Sequence, residues 1–324
     1  NSLSKETDMA LAIGTKLGDF TTGSWSNFQN PEFQLVSINT ARFDVTKHRA
    51  TPVISDAKIG LQQLSDVLGD WKASDTWYQR SIKERNEWEA YIAKASGPTN
   101  QELPSYAHAV GAVYRNADPS DVVVTAAGGL VGEVVQIWKP KQINTFETEW
   151  GFSCMGYEIS GALGIKMAKP DNDVVVFIGD GSYLLQNSDI YSSVIYNKKL
   201  IIVVCDNSGH MVINRLQLAK GGKEYLCGLK TSRASNFVEV DFAAHAKSMG
   251  AESETVSSTS ELEAAFKRAK ESKKTYVIAI TTHGYEWLEG TAFWESPTLE
   301  VHTTDENKKA YADHLDGKNK QRKG

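Results

Sequence analysis

The sequence predicts an α/β protein, in which a doubly wound parallel sheet is preceded by a partial α/β domain. Two observations lead to this prediction: short apolar runs alternate with helical patterns, and the runs are almost continuously apolar. Strands that are buried on both faces of a parallel sheet have this composition. With 324 residues, 41% of them apolar, the chain can hold one large core or two ordinary domains.

Residues 1–72 are predicted to form part of a central α/β domain. Apolar runs at 9–14, 33–38 and 52–54 indicate strands, and a helical pattern at 57–68 follows Asp56, a natural N-cap. These strands are too few for a self-sufficient doubly wound domain, so we expect an incomplete one.

A charged helical pattern with interspersed aromatic residues follows, and we expect residues 73–100 to be a helical linker between two domains. Residues 101–324 then alternate between helices and strands, as the diphosphate-binding domain of the predicted fold. The predicted strands are 122–125, 144–147, 174–178, 200–205, 254–256 and 276–280; the predicted helices are 106–115, 155–167, 186–197, 242–249 and 262–271.

Composition excludes several classes of function. A net charge of −5 gives no support for binding to nucleic acid or to an anionic membrane surface. Three cysteines without a CxxC pair, no long apolar run and no signal-peptide pattern suggest a reduced, cytoplasmic protein. The basic run at 318–323 is expected to be a frayed, solvated end. Because the chain starts on Asn1, close to a strand, we expect an upstream segment in the natural protein.

The most informative motif is Gly179-Asp180-Gly181-Ser182, followed after 27 positions (Asp180 to Asn207) by an amide side chain. Each end of this interval follows an apolar strand, and a parallel crossover brings both strand ends to one edge of the sheet. Oxygen ligands beside a glycine-rich backbone suit Mg²⁺ bound together with a phosphorylated ligand. Gly128 and Gly129 follow another strand and are expected at the same edge.

This interval resembles the thiamine diphosphate motif, which opens with Gly-Asp-Gly and closes on Asn. The resemblance implies thiamine diphosphate and Mg²⁺ as cofactors, with Asp180, Asn207 and the backbone carbonyl of Gly209 as metal ligands. It also implies that Met155 supports the bent cofactor and that the carbonyl of Ser153 receives its amino group. The remaining residues expected at the cofactor are Gly128, Gly129, Gly179, Gly181 and Ser182.

Almost the whole chain resembles about the second half of the trihydroxycyclohexanedione hydrolases of inositol catabolism. The resemblance lies in the segments 8–44, 152–170, 214–217 and 290–295. It implies hydrolytic carbon–carbon cleavage of a polyhydroxy cyclic 1,2-diketone, which gives 5-deoxy-glucuronic acid.

The pyrimidine-binding domain of that family has no counterpart in this chain. It carries the Glu that activates the cofactor, so the catalytic residue stays unknown here; Glu147 and Glu149 are expected to face substrate or solvent instead. In this superfamily the cofactor lies between subunits. We therefore expect a homodimer or homotetramer, or a separate chain that carries the pyrimidine domain, and an exposed apolar patch around Phe152, Met155 and Tyr157.

Alternatives remain open at this stage. Acetolactate synthase-like decarboxylases or carboligases resemble the chain more distantly and usually carry Gln-His-Gln where Gly129-Leu130-Val131 stands. A catalytically incomplete fragment that only binds the cofactor is a second alternative. A nucleotide-binding Rossmann domain is disfavoured, because no GxGxxG follows a predicted strand. Weaker functional hypotheses concern His210, Met211, Arg215, Gln217 and His283. The long segment from 208 to 233 is expected to be a functional lid or to be disordered.

Overall fold

A computed structural model describes residues 2–149, 151–232, 236–290 and 292–322. The chain divides into two compact units, one of residues 1–87, 219–222 and 289–324 and one of residues 88–218 and 223–288. The sequence predicted 101–324 as one domain, whereas this division assigns residues 289–324 to the first unit. Thr291 of the 290–295 segment, Arg233 at the end of the expected lid and Lys323 of the basic run lie outside the described residues.

The first unit contains a three-stranded parallel sheet in the order β1-β2-β3. The Asp56 carboxylate accepts hydrogen bonds from the backbone N–H of Lys58 (2.9 Å) and Ile59 (3.4 Å), as expected of an N-cap. The strands are β1 Met9–Ile13, β2 Gln34–Asn39 and β3 Thr51–Ile54; the helices are α1 Ser2–Glu6, α2 Asp19–Thr22, α3 Arg42–Val45 and α4 Ala57–Leu68, with a 3₁₀ turn at Lys47–Arg49.

The basic end of the chain is anchored within the first unit, so the prediction of a frayed, solvated end is wrong. After the long helix α5 (Asp75–Ala95), the chain returns to this unit and ends with a further helix over Asp305–Asn319. Lys318 forms an ion pair with Glu295 (2.8 Å), and the side chain of Gln321 donates to the carbonyl oxygen of Ser24 (2.8 Å). Charge alone therefore mispredicted this segment, because its partners lie far away in the sequence.

The second unit is built on a six-stranded sheet in the order β5-β4-β6-β7-β9-β8, with every neighbouring pair parallel. The predicted α/β class with a parallel sheet is therefore confirmed. The strands are β4 Val122–Thr125, β5 Phe146–Thr148, β6 Val174–Gly179, β7 Ile201–Asp206, β8 Glu252–Val256 and β9 Tyr276–Thr281. The helices are α6 Tyr106–Arg115, α7 Leu130–Ile137, α8 Tyr157–Ala168, α9 Asp180–Leu185, α10 Asp189–Ile195, α11 Met211–Ala219, α12 Phe242–Ser248 and α13 Thr259–Glu271; the helix over Asp305–Asn319 is α14.

Both faces of the second sheet are buried, which explains the continuous apolar runs. Phe177 and Val203 belong to one core cluster, whereas their neighbours Ile178 and Ile202 belong to the cluster on the opposite face. Alternate residues of a strand point to opposite faces, so a strand covered on both sides must be apolar at every position.

The helices around the predicted motif differ from the expectation. A single helix was predicted over 186–197, but α9 begins at Asp180 itself, and α10 begins only at Asp189. Gln186 separates them with an extended backbone (φ −149°, ψ 93°). The apolar pattern did not reveal α9, because this helix is short and opens with the glycine-flanked motif. The backbone N–H groups of its first turn therefore lie at the motif.

Among the described residues, no helix has the length and apolar character needed to cross a membrane.

The central strand β7 should be highly sensitive to loss of side-chain volume. Ile202 is fully buried, and Ile202→Ala should lower the free energy of unfolding by about 2 to 5 kcal/mol, since the cavity left behind is only partly filled. Ile195→Ala is the matched control, because Ile195 is 53% exposed, and its effect should stay within about 0.5 kcal/mol. Denaturant titration followed by circular dichroism measures both; equal losses would contradict the assignment of β7 to the core.

Candidate cofactor site

The carboxyl ends of three neighbouring strands meet in the second unit. In the parallel registers Val124 pairs with Val176 and Gly179 pairs with Cys205, so β4, β6 and β7 end side by side. The strand order also reverses here, because β5 lies on one side of β4 and β6 lies on the other. Open α/β sheets bind ligands at such a point.

A cavity of about 230 Å³ lies at this edge. Every residue that the sequence placed at the metal or the cofactor lines it: Gly128, Gly129, Ser153, Met155, Gly179, Asp180, Gly181, Ser182, Asn207 and Gly209. The wall also includes residues that were not predicted as site residues, or that had only weak readings: Tyr106, Ala127, Leu130, His210, Met211, Val212, Ile213 and Trp287. His283 is not among the lining residues; its ring Nδ1 accepts a hydrogen bond from the backbone N–H of Tyr285 (3.1 Å).

Asp180 is a buried carboxylate, only 1% exposed, at the N-terminus of α9. Its Oδ2 accepts a hydrogen bond from the backbone N–H of Gly209 (2.7 Å), which joins the strand ends of β6 and β7. Burial, together with the nearby charge of Asp206, raises the pKa of Asp180 above its ordinary range, although the N–H groups of Gly181 and Gly209 partly oppose this rise. A cation at this point would stabilise the ionised carboxylate.

Asn207 has an unused oxygen in the same cavity. Its amide Nδ2 donates to the hydroxyl of Tyr106 (2.7 Å), and this contact fixes the orientation of the amide. Its Oδ1 is buried and has no hydrogen-bond partner among the described residues. A buried, unpartnered acceptor is unfavourable unless a ligand satisfies it.

Gly209 must be glycine because of its backbone and its surroundings. Its φ of +154° is one that side-chain-bearing residues rarely adopt, and a Cβ would stand 2.4 Å from the carbonyl oxygen of Cys227. The backbone here forms an antiparallel bridge to Gly228, with hydrogen bonds from His210 N–H to Cys227 (2.8 Å) and from Leu229 N–H to Ser208 (2.8 Å). The loop therefore holds the third predicted metal ligand close to Asp180.

The glycines around the cavity serve two purposes. Gly128 has a φ of +77° and open space beside it, so its backbone can approach a ligand. Gly129 and Gly181 instead leave room for neighbouring rings: a Cβ would stand 2.1 Å from the Trp287 indole at Gly129, and 2.7 Å from the His210 imidazole at Gly181.

Together these groups fit a divalent cation held with a diphosphate. The buried carboxylate of Asp180 and the unpartnered oxygen of Asn207 are hard oxygen ligands of the type that Mg²⁺ prefers. The first turn of α9 and the backbone at Gly128 add the N–H groups and the open approach that phosphate oxygens require.

Two glutamates shape the loop that carries Ser153 and Met155. Glu149, expected to face substrate or solvent, instead accepts hydrogen bonds from the backbone N–H of Phe152 and of Cys154 (both 2.8 Å). Glu158 is 1% exposed and accepts from the N–H of Gly156 (2.8 Å) and of Ala127 (3.3 Å), which ties this loop to the end of β4. Burial raises the pKa of Glu158.

Sequence reasoning missed the aromatic wall of the cavity and the acid that supports it. The rings of Tyr106 and Trp287 meet edge to face, with centroids 5.7 Å apart. Behind them Glu133, 3% exposed, accepts a hydrogen bond from the N–H of Leu288 (3.0 Å) through Oε1, while its Oε2 has no partner in the described part of the chain. Burial raises the pKa of Glu133 to about 7. In the sequence, the one signal that could have revealed Glu133 was the position of an acidic residue within the largely apolar segment 130–137.

Residues 126–280 match the family model described as "Thiamine pyrophosphate enzyme, C-terminal TPP binding domain"; thiamine pyrophosphate is another name for thiamine diphosphate. This match covers the cavity-lining strand ends of β4, β6 and β7. The second unit therefore contains a thiamine diphosphate-binding domain of the thiamine diphosphate enzymes.

Among these enzymes the chain is a homologue of the trihydroxycyclohexanedione hydrolases, as the sequence predicted. It is 33% identical to the 3D-(3,5/4)-trihydroxycyclohexane-1,2-dione hydrolase of Halalkalibacterium halodurans, over 96% of this chain and 53% of the relative. It is also 33% identical to the enzyme of the same name from Lacticaseibacillus casei, over 97% of this chain and 52% of the relative. The chain thus spans about half the length of the curated relatives that it matches.

The fold is also similar to that of a solved enzyme. The Rhodococcus jostii RHA1 thiamine diphosphate-dependent 4-hydroxybenzoylformate decarboxylase matches 87% of this chain and 50% of its own, with a TM-score of 0.64 and 15% identity. At this identity the likeness concerns the fold alone, and it confirms the predicted thiamine diphosphate-binding fold.

Glu133 should make stability depend on pH. Because its pKa is raised from 4.5 to about 7, the folded chain binds more protons than the unfolded chain between these values, so its contribution to stability falls as pH rises through this range. Relative to wild type, Glu133→Gln should gain on the order of 3 kcal/mol in unfolding free energy between pH 4.5 and 8. Denaturant titrations across this range measure the gain. Glu271→Gln, at an exposed position, is the control, and a pH-independent difference for Glu133→Gln would contradict the assignment.

Proposed function

We propose that this chain supplies the Mg²⁺- and diphosphate-binding part of a thiamine diphosphate-dependent hydrolase that cleaves a carbon–carbon bond of a cyclic 1,2-diketone. The observation that carries the proposal is the cavity at the glycine-rich strand ends. The buried carboxylate of Asp180 and the unpartnered amide oxygen of Asn207 both lie in this cavity. The names of the relatives support trihydroxycyclohexanedione as the substrate class. The resemblance to this family further implies 5-deoxy-glucuronic acid as the ring-opened product.

The proposed roles follow from the chemistry of each group. Asp180, Asn207 and the carbonyl of Gly209 would hold Mg²⁺. Gly128, Gly129, Gly179, Gly181 and Ser182 would receive the diphosphate through backbone N–H groups and one hydroxyl. Met155 and the carbonyl of Ser153 would contact the rest of the cofactor.

When bound, thiamine diphosphate supplies the carbanion and the electron sink for cleavage next to a carbonyl. The residues of this chain contribute orientation and electrostatics. Asp180 would neutralise part of the metal charge. The hydrogen bond to Tyr106 holds the amide of Asn207 in one orientation. The indole of Trp287 and the phenol ring of Tyr106 both line the cavity. Their apolar faces would limit the access of water to the bound cofactor.

The activating Glu of the superfamily has no candidate in this chain, so we propose that a pyrimidine-binding domain completes the site. A second subunit of a homodimer or homotetramer, or a separate chain, would provide it. The side chain of Phe152 is 89% exposed and that of Met155 is 37% exposed, next to the cavity mouth, which supports a partner at this face. We propose no nucleic-acid or membrane partner, and a cytoplasmic location.

The cofactor proposal predicts opposite effects of one substitution on binding and on stability. Asp180→Asn should weaken Mg²⁺-dependent binding of thiamine diphosphate by about 100-fold or more, because a charged ligand of the metal is lost. The same change should raise the stability of the cofactor-free chain by about 1 kcal/mol or more, since a neutral amide replaces a buried carboxylate beside Asp206. Isothermal titration calorimetry and thermal unfolding measure the two effects.

Asp171→Asn is the matched control, because Asp171 is exposed and remote from the cavity lining. It should leave both binding and stability unchanged. Wild-type affinity in Asp180→Asn would contradict the metal site, whereas a loss of affinity together with a loss of stability would indicate a general folding defect.

Product analysis separates the hydrolase from its alternatives. The chain alone should turn over little substrate, and turnover of trihydroxycyclohexanedione to an open-chain acid should appear when a pyrimidine-binding half is supplied. Chromatography with mass spectrometry identifies the products of the dione and of pyruvate. Acetolactate from pyruvate would favour the synthase-like alternative, and cofactor binding without turnover of either substrate in the reconstituted protein would favour a cofactor-binding fragment.

A further inference from the structure

Helix α11 brings a guanidinium group to the edge of the cofactor cavity. The first residues of this helix, Met211 to Ile213, line the cavity, and Arg215 lies one turn beyond Met211 on the same side of the helix. The guanidinium carbon of Arg215 lies 5.1 Å from the ring centroid of Trp287, which also lines the cavity. A cation in this position interacts favourably with the indole face.

Arg215 has unused hydrogen-bonding capacity. It forms no hydrogen bond and no ion pair with any residue in the described ranges, whereas Arg115 and Arg268 are bound by the carboxylates of Glu263 and Glu254. The Arg215 side chain is half-buried against Trp287, so part of its hydration is already lost. Its five N–H donors remain available to a ligand.

The backbone that carries Arg215 is held firmly. Its neighbour Asn214 is fully buried, and the Nδ2 of Asn214 donates to Glu224 (3.1 Å). Glu224 also accepts hydrogen bonds from the hydroxyls of Thr231 (2.7 Å) and Tyr285 (2.8 Å). The cation is thereby preorganised, which lowers the entropy lost when a ligand binds.

The acid that interacts electrostatically with Arg215, Glu133, does not form an ion pair with it. Glu133 interacts with Arg215 over a distance, and Arg215 lowers the pKa of Glu133, but burial dominates and raises that pKa overall. No ion pair within 4.0 Å joins them. At the edge of the cavity, an indole face therefore meets a guanidinium that has no carboxylate partner among the described residues. The guanidinium is the strongest hydrogen-bond donor there.

We propose that Arg215 is a specificity-determining residue that binds paired oxygen atoms of the substrate. The two neighbouring carbonyl oxygens of a 1,2-diketone, and the two oxygens of the carboxylate left by ring opening, both match the planar fork of a guanidinium. Trp287 holds the fork in place. The identity of the diketone rests on the proposed function; the recognition of paired oxygens rests on Arg215 and Trp287 themselves.

The test uses D-glucuronate, a polyhydroxy carboxylate with paired oxygens, and myo-inositol, a polyhydroxy ring without them. Binding of each to the purified chain, with Mg²⁺ and thiamine diphosphate present, is followed by saturation-transfer NMR. Glucuronate should bind to the wild-type chain and more tightly than inositol. Arg215→Gln should weaken glucuronate binding at least about tenfold, and Arg215→Lys should weaken it as well, because an ammonium group lacks the fork.

Arg268→Lys is the control, since the Arg268 side chain is 52% exposed and its ion pair with Glu254 can persist. It should leave glucuronate binding unchanged. Wild-type affinity for glucuronate in Arg215→Gln, or no glucuronate binding to the wild-type chain, would overturn the inference. Cofactor binding is measured by calorimetry on the same samples: if it is absent while glucuronate binding still depends on Arg215, the proposed function fails and the inference stands.

Discussion

The burial of Asp180 next to a second acid is the constraint on which the rest of the site depends. A carboxylate that is 1% exposed and close to Asp206 is unfavourable in the ionised form, and the N–H groups of Gly181 and Gly209 only partly compensate for the lost water. A protein keeps such a group where a ligand neutralises it. The unpartnered oxygen of Asn207 is unfavourable for the same reason. The divalent cation that we propose would satisfy both groups.

Distant elements hold these unfavourable groups in place. Tyr106 at the start of α6 receives the amide of Asn207, Trp287 packs edge to face on Tyr106, and Glu133 on α7 holds the backbone next to Trp287. A chain of contacts thus runs from a buried acid to the amide of Asn207. The side chains are fixed before any ligand binds, which preorganises the site.

The sequence indicated residues that line the cavity, but it did not indicate the residues that support them. A strand followed directly by glycine and Asp or Asn is a local signal, and the parallel topology brings such ends together without further information. Tyr106, Glu133 and Trp287 carry no such signal, because their role depends on contacts between segments far apart in the sequence. The same reason explains why the basic end was expected to be solvated although Lys318 is paired with Glu295.

The cavity has two chemically distinct ends, and this asymmetry bears on how the protein evolves. At one end, the acid, the amide oxygen and the glycine backbone are proposed to bind only the diphosphate and its metal, which all thiamine diphosphate enzymes share. At the other end, Arg215 lies against Trp287. Binding of a diphosphate does not require a guanidinium at this position. On the proposed roles, substitutions at Arg215 would change which substrate oxygens are recognised and would leave the metal ligands Asp180 and Asn207 in place. Selection for a new substrate would therefore act first on Arg215, because this side chain forms no hydrogen bond or ion pair in the described part of the chain, whereas Asn214 beside it is fully buried.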